Sequence, residues 1–179
     1  VVFSGHLQYP LPNWVQGSPV DSARNSAAYL RDKYLVDAEH FLENVNGRYG
    51  VVVFDKRREL VVSATDNKGY RRLFYHQSDD KLVVSTHLSL LKNSANKDIA
   101  DKNDCAFFLS YEFLPEQKTI YPNVKYISPG NYLLSSSKAT IVNNKVKSTH
   151  KEVEYSYNDF DDVVNNLYEK FMLAIENQC

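Results

Sequence analysis

Two thiols, five imidazoles and an abundance of aromatic rings are the groups in this 179-residue chain whose chemistry needs weighing first. A cysteine is a nucleophile only as its thiolate, which a nearby cation or a helix N-terminus favours at neutral pH. Cys105 stands near the expected start of a helix, but its neighbours Ala106, Phe107 and Phe108 read as core. A buried structural thiol is the expectation there, and Cys179, at the chain end, reads as exposed and incidental. His6, His40, His76, His87 and His150 are scattered, with no H-x-x-x-H and no Cys/His pairing, so no metal site is expected. Gly47 and Gly50 have no G-K-[ST] after them, so no phosphate-binding loop is read. The 13 Tyr and 9 Phe would stack on sugars or bases if presented together. They fall instead within strand and helix patterns, where packing is their ordinary role.

These groups must be positioned by an ordinary globular chain. Apolar residues make up 43% and charged residues 24%, enough apolar content to bury a core in one domain. The balance of 21 Lys and Arg against 22 Asp and Glu gives no electrostatic footprint for nucleic acid. No stretch approaches the roughly 20 apolar residues of a membrane span. Two cysteines are too few for a disulfide framework, so a reducing, cytoplasmic setting is expected. Val1-Val2-Phe3-Ser4-Gly5-His6 shows no basic segment leading into a long apolar one, hence no secretory leader. The chain opens on Val1 and its single methionine is Met172, so a processed product or a start lying upstream is expected.

Pro10, Pro12, Gly17 and Pro19 punctuate an irregular loop over residues 8–19, and a helix is expected from Val20 to Leu30 with Asp21 or Ser22 as its cap. A shorter helix is expected around Asp37 to Asn44. Tyr49 to Phe54, Leu60 to Thr65, Leu73 to His76 and Leu82 to Thr86 are β-prone runs separated by turn residues, predicting four strands in meander order. The unbroken Val51-Val52-Val53-Phe54 implies a sheet covered on both faces. Short helices are expected at Leu88–Lys92 and Asp104–Phe113, and strands around Asn131–Leu134 and Thr140–Val142. Apolar residues at helical spacing from Phe160 to Ala174 predict a last helix over Tyr157 to Asn177.

Four motifs occur in succession. Asn46-Gly47-Arg48-Tyr49-Gly50-Val51-Val52-Val53-Phe54-Asp55 resembles the L-N-G-x-[FY]-[AG]-x-x-[VL]-[WF]-D segment of class II glutamine amidotransferases. The likeness is to the glutaminase domain of asparagine synthetases in particular. Asp66 to Tyr75 is similar to the family's R-D-x-x-G-x-[KR]-P-L-[FY]-Y turn and strand, and Leu82 to Leu91 to its F-A-S-E-x-x-A-L element. Thr119 to Leu133 is similar to its T-[IL]-F-x-x-[IV]-x-x-L-x-P-G-x-x-L stretch. The resemblance implies an α+β fold, a four-layer αββα sandwich of the N-terminal-nucleophile hydrolase type. Here the sandwich is expected to lack its first strands and to end in a C-terminal helix. It implies a glutaminase-like domain over residues 1–150. Residues 151–179 would lead toward an ATP-pyrophosphatase synthetase domain that the chain does not contain, and ATP and Mg would be cofactors of that domain only. The partners implied are glutamine or an amide-type small molecule, and the synthetase domain or a partner chain.

In this family the first residue of the mature chain is a cysteine whose thiolate attacks the glutamine amide, with the α-amino group as base. A backbone N–H and an Asn side chain stabilise the oxyanion. Val1 has the amino group but no nucleophilic atom. Val1 to Leu7 resembles the family's v-x-x-N-G-E-[IL]-Y-N strand. By that resemblance Ser4 replaces the oxyanion Asn, Gly5 keeps the N–H donor, and His6 replaces a Glu that holds the substrate's amino group. Asp21 matches the Asp of an S-D-x-E segment, and is equally explained as a helix cap. These four are the substrate-binding candidates, no catalytic residue is assigned, and the chain is expected to hydrolyse no glutamine. The competing reading is a non-enzymatic α+β scaffold or regulatory module that binds a partner protein through the apolar face of its last helix.

Overall fold

In the computed structural model, which describes residues 1–8, 19–78, 81–92, 102–136, 140–145 and 160–176, the run of valines after Tyr49 is a strand buried on both faces. Tyr49, Val51 and Val53 of β2 (Gly47–Asp55) pack with Leu7, Leu30, Tyr34, Phe41 and Val62 in one apolar cluster. Val52, between them, packs against Leu73, Tyr75, Ile127 and Leu133 in another. Successive side chains of a strand point to opposite faces, so an unbroken valine run serves two cores at once.

β1 (Val2–Leu7), β2, β3 (Leu60–Thr65), β7 (Asn131–Ser136) and β8 (Thr140–Lys145) form a five-stranded antiparallel sheet in the order β1-β2-β3-β7-β8. β4 (Phe74–Gln77), β5 (Leu82–Ser85) and β6 (Val124–Tyr126) form a second antiparallel sheet in the order β5-β4-β6. The cluster around Leu73 takes Val52 and Leu133 from the first sheet and Tyr75, Leu82 and Val84 from the second, which joins the two. α1 (Pro19–Val36) packs on β1 and puts Leu30 and Tyr34 into the core on the other face of the larger sheet. A 3-10 helix, Leu88–Leu91, lies against the smaller sheet, with Leu91 and Val124 wholly buried beside Phe74 and Val83.

The four β-prone runs are strands, but not one meander. β2 and β3 pair with each other, and β4 and β5 belong to the other sheet. The expected helix at Asp37–Asn44 is a series of turns. The Asp37 carboxylate accepts from the N–H groups of Glu39 and His40 at 3.0 and 3.2 Å, and such local bonds compete with a helix. Glu43 N–H donates to the His40 carbonyl and Val45 N–H to that of Leu42, both three-residue closures rather than α-helical ones. α2 runs Lys102–Tyr111 and α3 runs Phe160–Glu176. Neither buries a side chain, so Cys105, on α2 and half-buried, is not the core thiol expected from its neighbours. Most of the 8–19 loop, the end of the 1–150 span and Cys179 lie outside the described residues.

Asp55 gives a pH prediction. Burial pushes its carboxyl up, but this is outweighed by the N–H of Arg58, the Tyr34 hydroxyl, the N–H of Arg57 and the Arg58 charge, so its pKa lies below the usual carboxylate value. A carboxyl whose folded pKa is depressed stabilises fully above its unfolded pKa, and the contribution disappears as pH falls through the folded value. Urea midpoints are therefore expected to fall as pH drops below the ordinary carboxylate value of about 4, and Asp55→Asn to flatten that acid limb. An Asp55→Asn limb as steep as the parent's would remove Asp55 from the cause.

Candidate functional site

Ser4, Gly5 and His6 lie side by side on β1, paired with Gly50, Tyr49 and Arg48 of β2. Alternation puts Ser4 and His6 on the face opposite Phe3 and Leu7, which join the α1-side core. That face is turned toward the second sheet, as its neighbour Val52 demonstrates. Ser4 is half-buried and His6 exposed, so the pair lies on the edge strand of the larger sheet. Gly50, opposite Ser4, lets the 67–72 loop and Leu73 pack close to β2: a Cβ there would come within 3.1 Å of the Leu73 side chain and 3.5 Å of the Arg71 carbonyl.

β1 can approach β2 this closely because both supply glycine at the contact. Gly5 has φ +127, and a Cβ on it would stand 1.9 Å from the Arg48 carbonyl oxygen. Gly47 has φ +145, and its Cβ would stand 2.4 Å from the His6 carbonyl oxygen. Both values belong to glycine's range. The carry-over of an oxyanion-type N–H to Gly5 therefore falls on a residue whose backbone is fixed by packing.

The loop after β3 is organised by Asp66, which is 1% exposed. Its Oδ1 accepts from Lys68 and Tyr70 N–H at 2.9 and 3.2 Å. Its Oδ2 accepts from Tyr49 and Arg71 N–H, each at 3.2 Å. Its own N–H donates to the Tyr49 carbonyl, and its carbonyl accepts from Gly69 and Gly130. One residue thus ties β2 to the 67–72 loop and to the Ser128-Pro129-Gly130 turn. The burial of Tyr49 and the charge of Asp66 beside it raise the Tyr49 phenol well above its ordinary value, so it is a neutral packing residue.

α1 begins at Pro19, so Asp21 lies inside the first turn rather than at the cap. Proline suits that first helical position, because its missing N–H would have no helical partner. Arg48 and Tyr70, to which sequence reasoning gave no role, meet beside this strand pair: the Arg48 guanidinium lies 4.9 Å from the Tyr70 ring centroid. The signal was present in the spacing, since Ser4 and His6 are two apart and so are Gly50 and Arg48. A cavity of about 360 Å³ lies elsewhere, on the α1 side of the larger sheet, lined by Tyr34, Phe41, Leu60, Val62 and Leu134. None of Ser4, Gly5 and His6 lines it.

No group of three or more His, Cys, Asp or Glu side chains among the described residues is placed to hold a metal ion. No helix among them is long and apolar enough to cross a membrane.

Known proteins share this pattern. The chain is 24% identical over 93 residues to asparagine synthetase [glutamine-hydrolyzing] 1 of Bacillus subtilis (strain 168), a match covering 52% of this chain and 15% of that one. It is 24% identical over 153 residues to asparagine synthetase [glutamine-hydrolyzing] 3 of the same organism, covering 83% and 24%. It is 27% identical over 105 residues to amidase chyE of Penicillium rubens, covering 53% and 14%. The chain spans at most about a quarter of the length of these curated relatives. Residues 29–147 match the family model described as a glutamine amidotransferase domain. That span holds β2 through β8 with the Asp66 loop and the Ser128-Pro129-Gly130 turn, and the chain belongs to the glutamine amidotransferase domain family.

Proposed function

We propose that these residues form the glutaminase-like domain of an asparagine-synthetase-like, ATP-dependent amide-forming enzyme, in the four-layer αββα arrangement of the N-terminal-nucleophile hydrolases. The observation that carries this is the family match over residues 29–147, joined to the strand pair in which Ser4 and His6 of β1 lie opposite Gly50 and Arg48 of β2. ATP and Mg belong with a synthetase portion of such an enzyme, and no step here is routed through them.

The 179-residue chain by itself is proposed to hydrolyse no glutamine. Attack on an amide carbonyl needs a nucleophile within reach of the oxyanion donors. Neither β1 nor β2 carries a cysteine, and Cys105 is on α2. A serine hydroxyl at position 4 reaches less far than an asparagine amide. A histidine at position 6 offers no carboxylate to a substrate ammonium. Glutamate release by this chain is expected to stay at the blank, and steady turnover overturns the point. The natural protein carrying these residues is expected to release pyrophosphate from ATP when given ammonia and a carboxylate acceptor. If none is released across a panel of carboxylate acceptors, the amide-forming reading fails.

α3 favours a second reading, a module that binds a partner protein. It exposes Phe160, Leu167 and Phe171, which share one side of the helix, at 62–77%, an apolar face that is normally covered. A monomer at micromolar concentration in size-exclusion light scattering would count against it.

A further inference from the structure

We propose that the cavity between the 38–43 turns and strands β3 and β7 binds a small amphipathic carboxylate, whose apolar body lies against the sheet and whose head pairs with Arg58. The site is separate from the glutaminase-like reading. It lies on the face of the larger sheet opposite to Ser4 and His6, so either reading can fail without the other.

The cavity follows from the local structure above it. α1 packs on β1, at one edge of the larger sheet. β3 and β7 are covered by the 38–43 turns instead of a helix. A helix would lay a continuous apolar stripe on the sheet. The turns lower Phe41 and Leu42 into the core, at 3% and 5% exposure, and leave about 360 Å³ beside them. Leu60, Tyr132 and Leu134 pack on the core and are still only half-buried, so they border space left open. A volume of this size falls in the range of about 300–1,000 Å³ that encloses small ligands.

The charges at the rim give the ligand its head and its direction. Arg58 lines both the cavity and an adjoining groove of about 530 Å³, as do Tyr34 and Ala38. Arg31, Lys56 and Arg57 line that groove too. Arg31 is matched by Asp32 at 2.7 Å, but Lys56 and Arg57 enter no ion pair among the described residues. The Arg58 Nε stands 3.8 Å from Asp55 Oδ2, too far for a hydrogen bond. Asp55 takes its bonds from the Tyr34 hydroxyl and the N–H groups of Arg57 and Arg58. The Arg58 fork of N–H donors can therefore take a second acid, and its geometry matches the two oxygens of a carboxylate. Glu39 and Glu43 line the cavity on the turn side and repel the head, which leaves it the Arg58 end.

The test is methyl NMR titration of the 179-residue chain at pH 7 with three probes. Octanoate has body and charge, octan-1-ol the body alone, and acetate the charge alone. Octanoate is expected to shift the methyl signals of Leu60, Val62 and Leu134 and to bind about tenfold more tightly than octan-1-ol. Acetate is expected to shift none of them. Arg58→Gln is expected to remove the tenfold advantage and leave octan-1-ol binding unchanged, a split that a general loosening of the fold would not produce. Leu134→Trp, which fills the cavity, is expected to abolish binding of both. Lys118→Gln, on a lysine paired with Asp104, is expected to change neither. The comparison of octanoate with octan-1-ol on the parent chain stands even where a variant fails to fold. Equal binding of those two probes overturns the inference, as does octanoate binding untouched by Arg58→Gln, or no shift at the three residues. Shifts confined to α3 overturn it as well, because they mean adsorption to that helix's exposed apolar face.

Discussion

Replacing Asp66 by alanine is expected to cost about 3–5 kcal/mol, a large share of the 5–15 kcal/mol that holds a domain folded. The carboxylate accepts four backbone N–H groups, from Tyr49, Lys68, Tyr70 and Arg71, and a hydrogen bond to a charged acceptor contributes about 1.5–3 kcal/mol. Alanine leaves those donors to find water at a position that is 1% exposed. Asp66→Asn separates charge from shape. Each carboxylate oxygen serves two donors, so in either orientation of the amide an NH2 group faces two N–H groups. Asparagine is thus expected to recover less than half of the loss. Urea unfolding with an unchanged slope measures both values. Losses under about 1 kcal/mol for both variants would mean that the loop and the Ser128-Pro129-Gly130 turn hold without the carboxylate.

The second large effect belongs to Gly5. A methyl group there would stand 1.9 Å from the Arg48 carbonyl oxygen and 2.9 Å from the Tyr49 Cα. Both obstacles are backbone, so no rotamer change relieves the clash. The backbone at φ +127 is strained for any residue with a Cβ. Gly5→Ala must therefore either push β1 off β2 or turn the peptide over, and both misplace Ser4 and His6. A loss of about 3 kcal/mol is expected, lowering the thermal midpoint by roughly 6–12 °C for a chain of this size. Amide exchange should show where the damage lies. Protection is expected to vanish over Val2–Leu7 while β3 and β7 retain theirs. A variant with parental midpoint and a protected β1 would show that the close approach is not obligatory.

The sequence made individual strands legible where turn residues bracket them. Asp66 with Gly69, and Ser128-Pro129-Gly130, mark the ends of β3 and the start of β7, because side-chain bonding and positive φ leave few alternatives there. Which strands pair was not legible. Val61-Val62 carries no sign that its second neighbour is Leu134-Ser135 rather than the next strand along, since periodicity specifies a face and not a partner. β6 has three residues, too few to announce itself, and it extends β4 by register alone. The helix expected at Asp37 failed because an aspartate at that spacing bonds its own following N–H groups. Ser4, Gly5 and His6 were read from resemblance to a strand and do lie on β1. Arg48 and Tyr70 could not be joined from sequence, because their contact crosses from β2 to the 66–72 loop.

The place of β3 between β2 and β7 has a consequence for synthesis. Val62 finds Val53 almost at once, but its other partner, Leu134, is made about seventy residues later. At roughly 5–20 residues per second, β3 waits about 4–14 s with one edge of unpaired N–H and C=O groups. During that interval the nascent chain presents an apolar, twisted hairpin open to any passing strand. Slowing translation between residues 66 and 131 should therefore lower the yield of soluble chain, and a chaperone that shields strand edges should restore it.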